Sequence, residues 1–187
     1  LLCSSWTGLR EADIEAIFSV YNIPYFSMKF HQILNLVSEI FRRNIDGSVD
    51  YVNPSIKNAA REFFGKFDES HNWSYMIYKH LLSLNSSDIF VYNQLPYYCY
   101  VTKNNTSLIK FIQKHLANTS LSNMILLAKS MIKVAREKKC LKKWFGDLCE
   151  EAFEAGGELD FSSFFLYQIW DELNNDLYLE ECVYIYN

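Results

Sequence analysis

The stretch Asn44-Ile45-Asp46-Gly47-Ser48-Val49-Asp50-Tyr51-Val52-Asn53-Pro54 decides how this chain folds. Asp46-Gly47 is a dipeptide whose tolerance of positive φ suits a two-residue hairpin turn. Val49 to Val52 then reads as a short return strand, with Val49, Tyr51 and Asn53 alternating to one side. Asn53-Pro54 starts a helix, because Asn caps free N–H groups and Pro at the first helical position gives up an N–H that would be unpaired anyway. That helix runs to about Phe64 and ends at Gly65. Helical backbone across residues 41–53 would instead favour an all-helical array.

Upstream, Ser27 to Arg43 places Phe30, Ile33, Leu34, Val37, Ile40 and Phe41 at intervals of three and four, which predicts a core-facing helix. Asn22 to Tyr25, with Pro24, separates it from an earlier helix over Arg10 to Phe18. There Ile14, Ile17 and Phe18 share a face, and Glu11 and Asp13 favour the positive end of the helix dipole. Leu1 to Trp6 reads as the end of an apolar helix stopped by Gly8. Residues 1–66 are therefore expected to form a winged-helix domain of helix, turn, helix, hairpin and helix.

Residues 67–187 are expected to be an α-helical, solenoid-like region. The spacing predicts helices over His71–Leu84 and from a Ser87 or Asp88 cap to Val101, with a kink at Pro96. Further helices are predicted over Ser107–Leu116 capped by Thr106, Leu121–Lys138 capped by Ser120, and Leu141–Ala155 stopped by Gly156-Gly157. Asp160 would cap Phe161–Leu173, and a last turn covers Leu179–Tyr186. Short connections between helices resemble the start of a repeat array, without a repeat of fixed period.

Composition agrees with a mainly α fold. Half of the residues are apolar and only six are Gly and three Pro, too few turn formers for a sandwich or barrel. The net charge of −4 hides an asymmetry. Lys129, Lys133, Arg136, Lys138, Lys139, Lys142 and Lys143 crowd one stretch, and after Lys143 eleven acidic residues follow with no basic one. Solvated helix faces account for this most simply; a patch for an acidic partner is the functional alternative. No apolar run approaches the ~20 residues that span a bilayer. No leader is visible, and the chain opens at Leu1 in mid-pattern, as a segment of a longer protein would.

Five cysteines, Cys3, Cys99, Cys140, Cys149 and Cys182, lie far apart without a C-x-x-C pair, which supports neither a zinc site nor a disulfide framework. A reduced, intracellular setting is expected. Cys99 and Cys149 sit among aromatic or apolar residues that would raise a thiol pKa and make it inert. His31, His71, His80 and His115 lack an i, i+4 partner suited to a metal and read as surface or helix residues. Tyr97-Tyr98-Cys99-Tyr100, Phe161 to Tyr167, Trp144 and Trp170 read as core.

Three motifs carry a family resemblance. Leu1 to Ile14, with Gly8-Leu9-Arg10-Glu11-Ala12-Asp13-Ile14 at its end, resembles the start of the winged-helix segment that follows the NACHT ATPase in animal STAND proteins of the nephrocystin and telomerase-associated types. Val49 to Phe64 is similar to that family's strand-and-helix run, and Asp88 to Tyr100 to the helix that precedes its tetratricopeptide or other helical repeats. The resemblance implies a winged helix that packs on the ATPase and helps hold it closed on ADP. It implies that the downstream repeats sense or scaffold other proteins, in a cytoplasmic, cytoskeletal or ciliary setting. Where many relatives carry a His that reaches the nucleotide phosphate, this chain has Asn53, the one candidate cofactor-binding residue. Asn donates a hydrogen bond but adds no charge, and its plainer role is the helix cap.

No G-x-x-x-x-G-K-[ST] loop is present to cradle phosphates, so ATP or ADP with Mg would belong to the parent protein and this chain is expected to be non-enzymatic. Two alternatives stay open. Tyr167 to Tyr184 faintly resembles the acidic-aromatic close of a HEAT-like docking domain in translation-initiation complexes. A winged helix can also bind nucleic acid, but Lys29, Arg42 and Arg43 are the only basic residues of Ser27–Arg43, too few for strong phosphate contact.

Overall fold

The computed structural model describes residues 1–65, 72–85, 87–116 and 121–154. Among these residues the chain is mainly helical with one two-stranded antiparallel sheet. A 3-10 turn at Leu2–Ser4 precedes α1 (Glu11–Val20), α2 (Ser27–Leu36), β1 (Phe41–Arg43), β2 (Val49–Tyr51) and α3 (Pro54–Gly65). Then come α4 (Trp73–Ser83), α5 (Ile89–Val101), α6 (Asn105–Leu116), α7 (Leu121–Glu137) and α8 (Leu141–Glu154). Packing divides the chain into two compact units between Ser83 and Leu84. The boundary expected after residue 66 falls outside the described residues. Helix α4, expected with the downstream region, belongs to the first unit and packs on α1.

The hairpin forms where the Asp-Gly signal placed it, with Phe41 opposite Tyr51, Arg42 opposite Asp50 and Arg43 opposite Val49. Its turn is one residue longer than expected. Asn44 N–H donates to the Ser48 carbonyl at 2.8 Å and Gly47 N–H to the Asn44 carbonyl at 3.0 Å, with Gly47 at φ +78°. Three residues thus close the loop, with Gly at the left-handed position of a bulge. Asp46 fixes it by accepting from the Ser48 N–H at 3.0 Å and hydroxyl at 2.6 Å.

Two expectations upstream need correction. Helix α2 ends at Leu36 instead of Arg43, because Phe41 to Arg43 pair with β2 and the Phe41 ring stacks on Tyr51 at 4.6 Å. None of its residues is buried. The three-and-four spacing marked the inner face correctly, since Phe30, Leu34 and Val37 are half-buried, but Ile33 and Leu36 are exposed. Leu1 to Trp6, expected as a helix end, forms only the 3-10 turn. Gly8 serves the β-sheet: at φ +98° it lets Leu9 bridge Val49, and a Cβ there would lie 2.6 Å from the Val49 carbonyl oxygen. No side chain fits that approach.

The expected alternation of β2 is also absent. Val49, Asp50 and Tyr51 are all buried, because Asp50 meets Lys57 of α3 on the second face. With Leu9, Ile14, Ile17, Met76, Ile77, Tyr78 and Leu81, Val49 and Tyr51 form the core of the first unit. Asn53 caps α3 as expected, accepting from Ser55 N–H at 2.8 Å.

In the second unit, α5 is the centre. Phe90, Val91, Tyr92, Gln94, Leu95, Pro96, Tyr97, Tyr98 and Cys99 are buried, so the helix is enclosed nearly all round. Pro96 lies inside it, and Asp88 caps it by accepting from Phe90 N–H at 3.0 Å. Helix α5 packs on α6 and α7, and α8 on α6 and α7, so each helix of the first pair meets its counterpart in the second. Asn104, not Thr106, caps α6, accepting from Ser107 N–H at 3.3 Å and its hydroxyl at 3.0 Å. Asn104 lies one residue before the helix, as a capping oxygen must; Thr106 is already inside it and donates to Glu151 at 3.3 Å. Trp144 is in the core as expected, with its indole N–H donating to Asn105 Oδ1 at 3.0 Å. The Ser120 cap, Gly156-Gly157, Phe161–Leu173, Trp170, Leu179–Tyr186, Cys182 and His71 lie outside the described residues.

Candidate functional site

Three clusters of polar groups in the first unit come from residues whose helical or strand register points them inward. Asp13 shares the inner face of α1 with Ile17, one turn away, and is only 2% exposed. Its carboxylate accepts from Arg10 Nε at 2.7 Å and Nη2 at 3.1 Å and from His80 Nε2 of α4 at 2.9 Å. Burial pushes the Asp13 carboxyl up, but the hydrogen bonds from His80 and Arg10 outweigh it and hold the pKa below the ordinary range. An ionised carboxylate can only accept, so His80 carries its proton on Nε2. Among the described residues no hydroxyl or thiol bonds the other ring nitrogen, so the Asp–His pair lacks a nucleophile and acts as a tie between α1 and α4.

The second cluster joins the hairpin to α3. Lys57 Nζ, on a side chain 10% exposed, donates to Asp50 Oδ1 at 2.6 Å and to the Trp6 carbonyl at 2.9 Å. Asp50 Oδ1 also accepts from Tyr51 N–H at 2.9 Å. Burial lowers the Lys57 pKa in spite of the Asp50 charge beside it. One turn further along α3, Arg61 Nε donates to the Cys3 carbonyl at 3.0 Å.

The third cluster holds α2, which has no buried residue of its own. Glu11 Oε1 accepts from the Tyr25 hydroxyl at 2.9 Å and from the Ser27 hydroxyl at 2.5 Å, and Oε2 from His31 Nε2 at 2.9 Å. The Ser27 hydrogen bond holds the Glu11 pKa below the ordinary range against the opposing effect of burial, with help from Tyr25, His31 and Arg43. A carboxylate read from sequence as a dipole partner is therefore also an anchor.

Next to these ties is a cavity of about 420 Å³. Its wall is aromatic, with Phe18, Tyr25, Phe30, Phe41, Tyr51, Phe64 and Trp73, and Leu1, Leu2 and Ile14 add aliphatic surface. Cys3, Ser4 and Arg61 complete the lining. The volume lies in the range of small-molecule sites, which are mostly apolar with a few placed polar groups.

Asn53 lies apart from this lining; it is exposed, and its side-chain oxygen is engaged by Ser55. His31 and His80, read as unremarkable helix residues, each pair with a carboxylate, and His80 is nearly buried. No group of three or more His, Cys, Asp or Glu converges among the described residues. Burial pushes the Cys99 thiol up to about 12, and burial with Glu150 raises that of Cys149, which makes both poor nucleophiles. No helix among the described residues is long and apolar enough to cross a membrane. Sequence reasoning missed Asp13, whose signal was an acid on the Ile17 face with Arg10 three residues before it. It also missed the Asp50–Lys57 pair and the cavity.

No family model, curated protein or solved structure matches the chain.

Proposed function

We propose that this chain is a non-catalytic regulatory and scaffolding segment of a larger NACHT-type STAND ATPase. The first unit packs on the neighbouring ATPase domain in cis, and the helices after Leu84 engage other proteins, in the cytoplasm. The observation that carries the reading is α2: a ten-residue helix with no buried residue, presenting Met28 at 75%, Ile33 at 56% and Leu36 at 84% exposure. An isolated helix of that length is marginal in water, so its apolar face gains from a partner surface. Exposed Ile56 and Phe63 on α3 add to the same demand. ATP or ADP with Mg would be held by the ATPase, with the Asn53 amide as the one group here within the family's phosphate-sensing position.

The nucleic-acid reading is disfavoured by the same helix, whose single basic residue is Lys29. The test is association of the chain with a separately produced ATPase domain from its own polypeptide. Leu36→Glu, at a site too exposed to disturb the fold, should weaken the complex about tenfold or more, the value of burying one Leu. Equal binding by wild type and Leu36→Glu, or a parent polypeptide without a Walker-type loop, would sink the proposal.

A further inference from the structure

We infer that the cavity of the first unit is a binding site for a small carboxylic acid with an apolar tail. This goes beyond the scaffolding reading and does not depend on it. A cavity of about 420 Å³ is of the size that takes a small molecule, and its aromatic wall favours an apolar occupant over a cluster of waters. At interior packing density, roughly 0.75, it accepts about 300 Å³ of ligand, the scale of a medium-chain or aromatic acid.

The carboxylate is assigned by Arg61. Arg61 is part of the cavity lining, and its Nε–H is fixed by the Cys3 carbonyl at 3.0 Å. No carboxylate of the described residues forms an ion pair with it. The other acids of the neighbourhood are taken: Asp50 by Lys57, Asp13 by Arg10 and His80, and Glu11 by Tyr25, Ser27 and His31. A planar guanidinium held by one nitrogen keeps its two terminal nitrogens for an acid. Neutral apolar ligands would fill the aromatic part and leave that charge unanswered.

The probes are dodecanoic acid and dodecanol, titrated into the complete chain by calorimetry. The acid should bind at one site and about tenfold to a hundredfold more tightly than the alcohol, as expected for a charge-assisted hydrogen bond. Arg61→Gln should remove the preference while dodecanol still binds, which reports an intact cavity. Leu2→Trp, which narrows the cavity, should weaken binding of both. The inference is overturned if neither compound binds the wild-type chain, if the alcohol binds as tightly as the acid, or if Arg61→Gln keeps the preference. It is equally overturned if Leu2→Trp leaves acid binding unchanged, since the acid would then be held elsewhere.

Discussion

Replacing Asp50 by Ala should be among the most damaging single substitutions in the first unit. Asp50 is 8% exposed, as is Lys57, and among the described residues the substitution leaves the Lys57 ammonium with the Trp6 carbonyl alone as acceptor, at 2.9 Å. Breaking a buried ion pair from one side costs about 3–5 kcal/mol, because a desolvated charge is left uncompensated. The Tyr51 N–H loses its side-chain acceptor as well, so the upper part of that range is expected. Asp50→Ala with Lys57→Met removes both charges and keeps the aliphatic stem, so it should recover most of the loss. The penalty should also depend on pH. Burial already lowers the Lys57 pKa, and without Asp50 the lowering deepens. The unfolded chain then binds more protons than the folded one between the two pKa values, and stability rises with pH there. Up to about 1.4 kcal/mol per unit should be regained as pH rises from the folded value toward the ordinary lysine range. Urea unfolding, with hydrogen exchange of β2 and α3 to place the loss in the first unit, measures each quantity. A cost below about 1 kcal/mol, a double variant as unstable as Asp50→Ala, or a penalty that does not shrink with pH would refute the reasoning.

Acidification should release α2 early. Glu11 has a folded pKa below its unfolded value, so its contribution is present above the ordinary carboxylate range and is lost as pH falls through the folded value. Amide exchange in Ser27–Leu36 should accelerate there before that in α4, and Glu11→Gln should show the acceleration already at neutral pH. Gly8→Ala should cost about 2–3 kcal/mol, since it combines a strained φ with a Cβ 2.6 Å from the Val49 oxygen. Gly47→Ala, with open space around its Cβ, should cost only about 1 kcal/mol by the same denaturation measurement. Trp144→Phe should lower stability by about 1–3 kcal/mol through the lost bond to Asn105 and the smaller ring, read as a shift of the thermal midpoint.

Local chemistry carried much of the fold into the sequence. Asp46-Gly47, Asn53-Pro54 and Asp88 mark a turn and two helix starts by bonds made within a few residues, and each was legible at its place. Phe41 was misread because its preference for a helix or a strand is settled by Tyr51, ten residues away in the chain. Gly8 was read as a helix stop because its real constraint is a strand 41 residues downstream. The same distance problem hid the site. Asp13 meets His80 across a separation of 67 residues, and a cavity is a property of what several elements fail to fill. The core placement of Tyr97, Tyr98 and Cys99 was legible, by contrast, because so dense an aromatic run has little to offer water.

Residues 3–9 are tied to partners far along the chain. Trp6 is bound by Lys57 across 51 residues, Cys3 by Arg61 across 58, and Leu9 bridges Val49. These ties wait on β2 and α3, and closing such long loops loses chain entropy before any contact repays it. The first unit should therefore reach its final form only after its hairpin and α3 are in place, with residues 3–9 docking last.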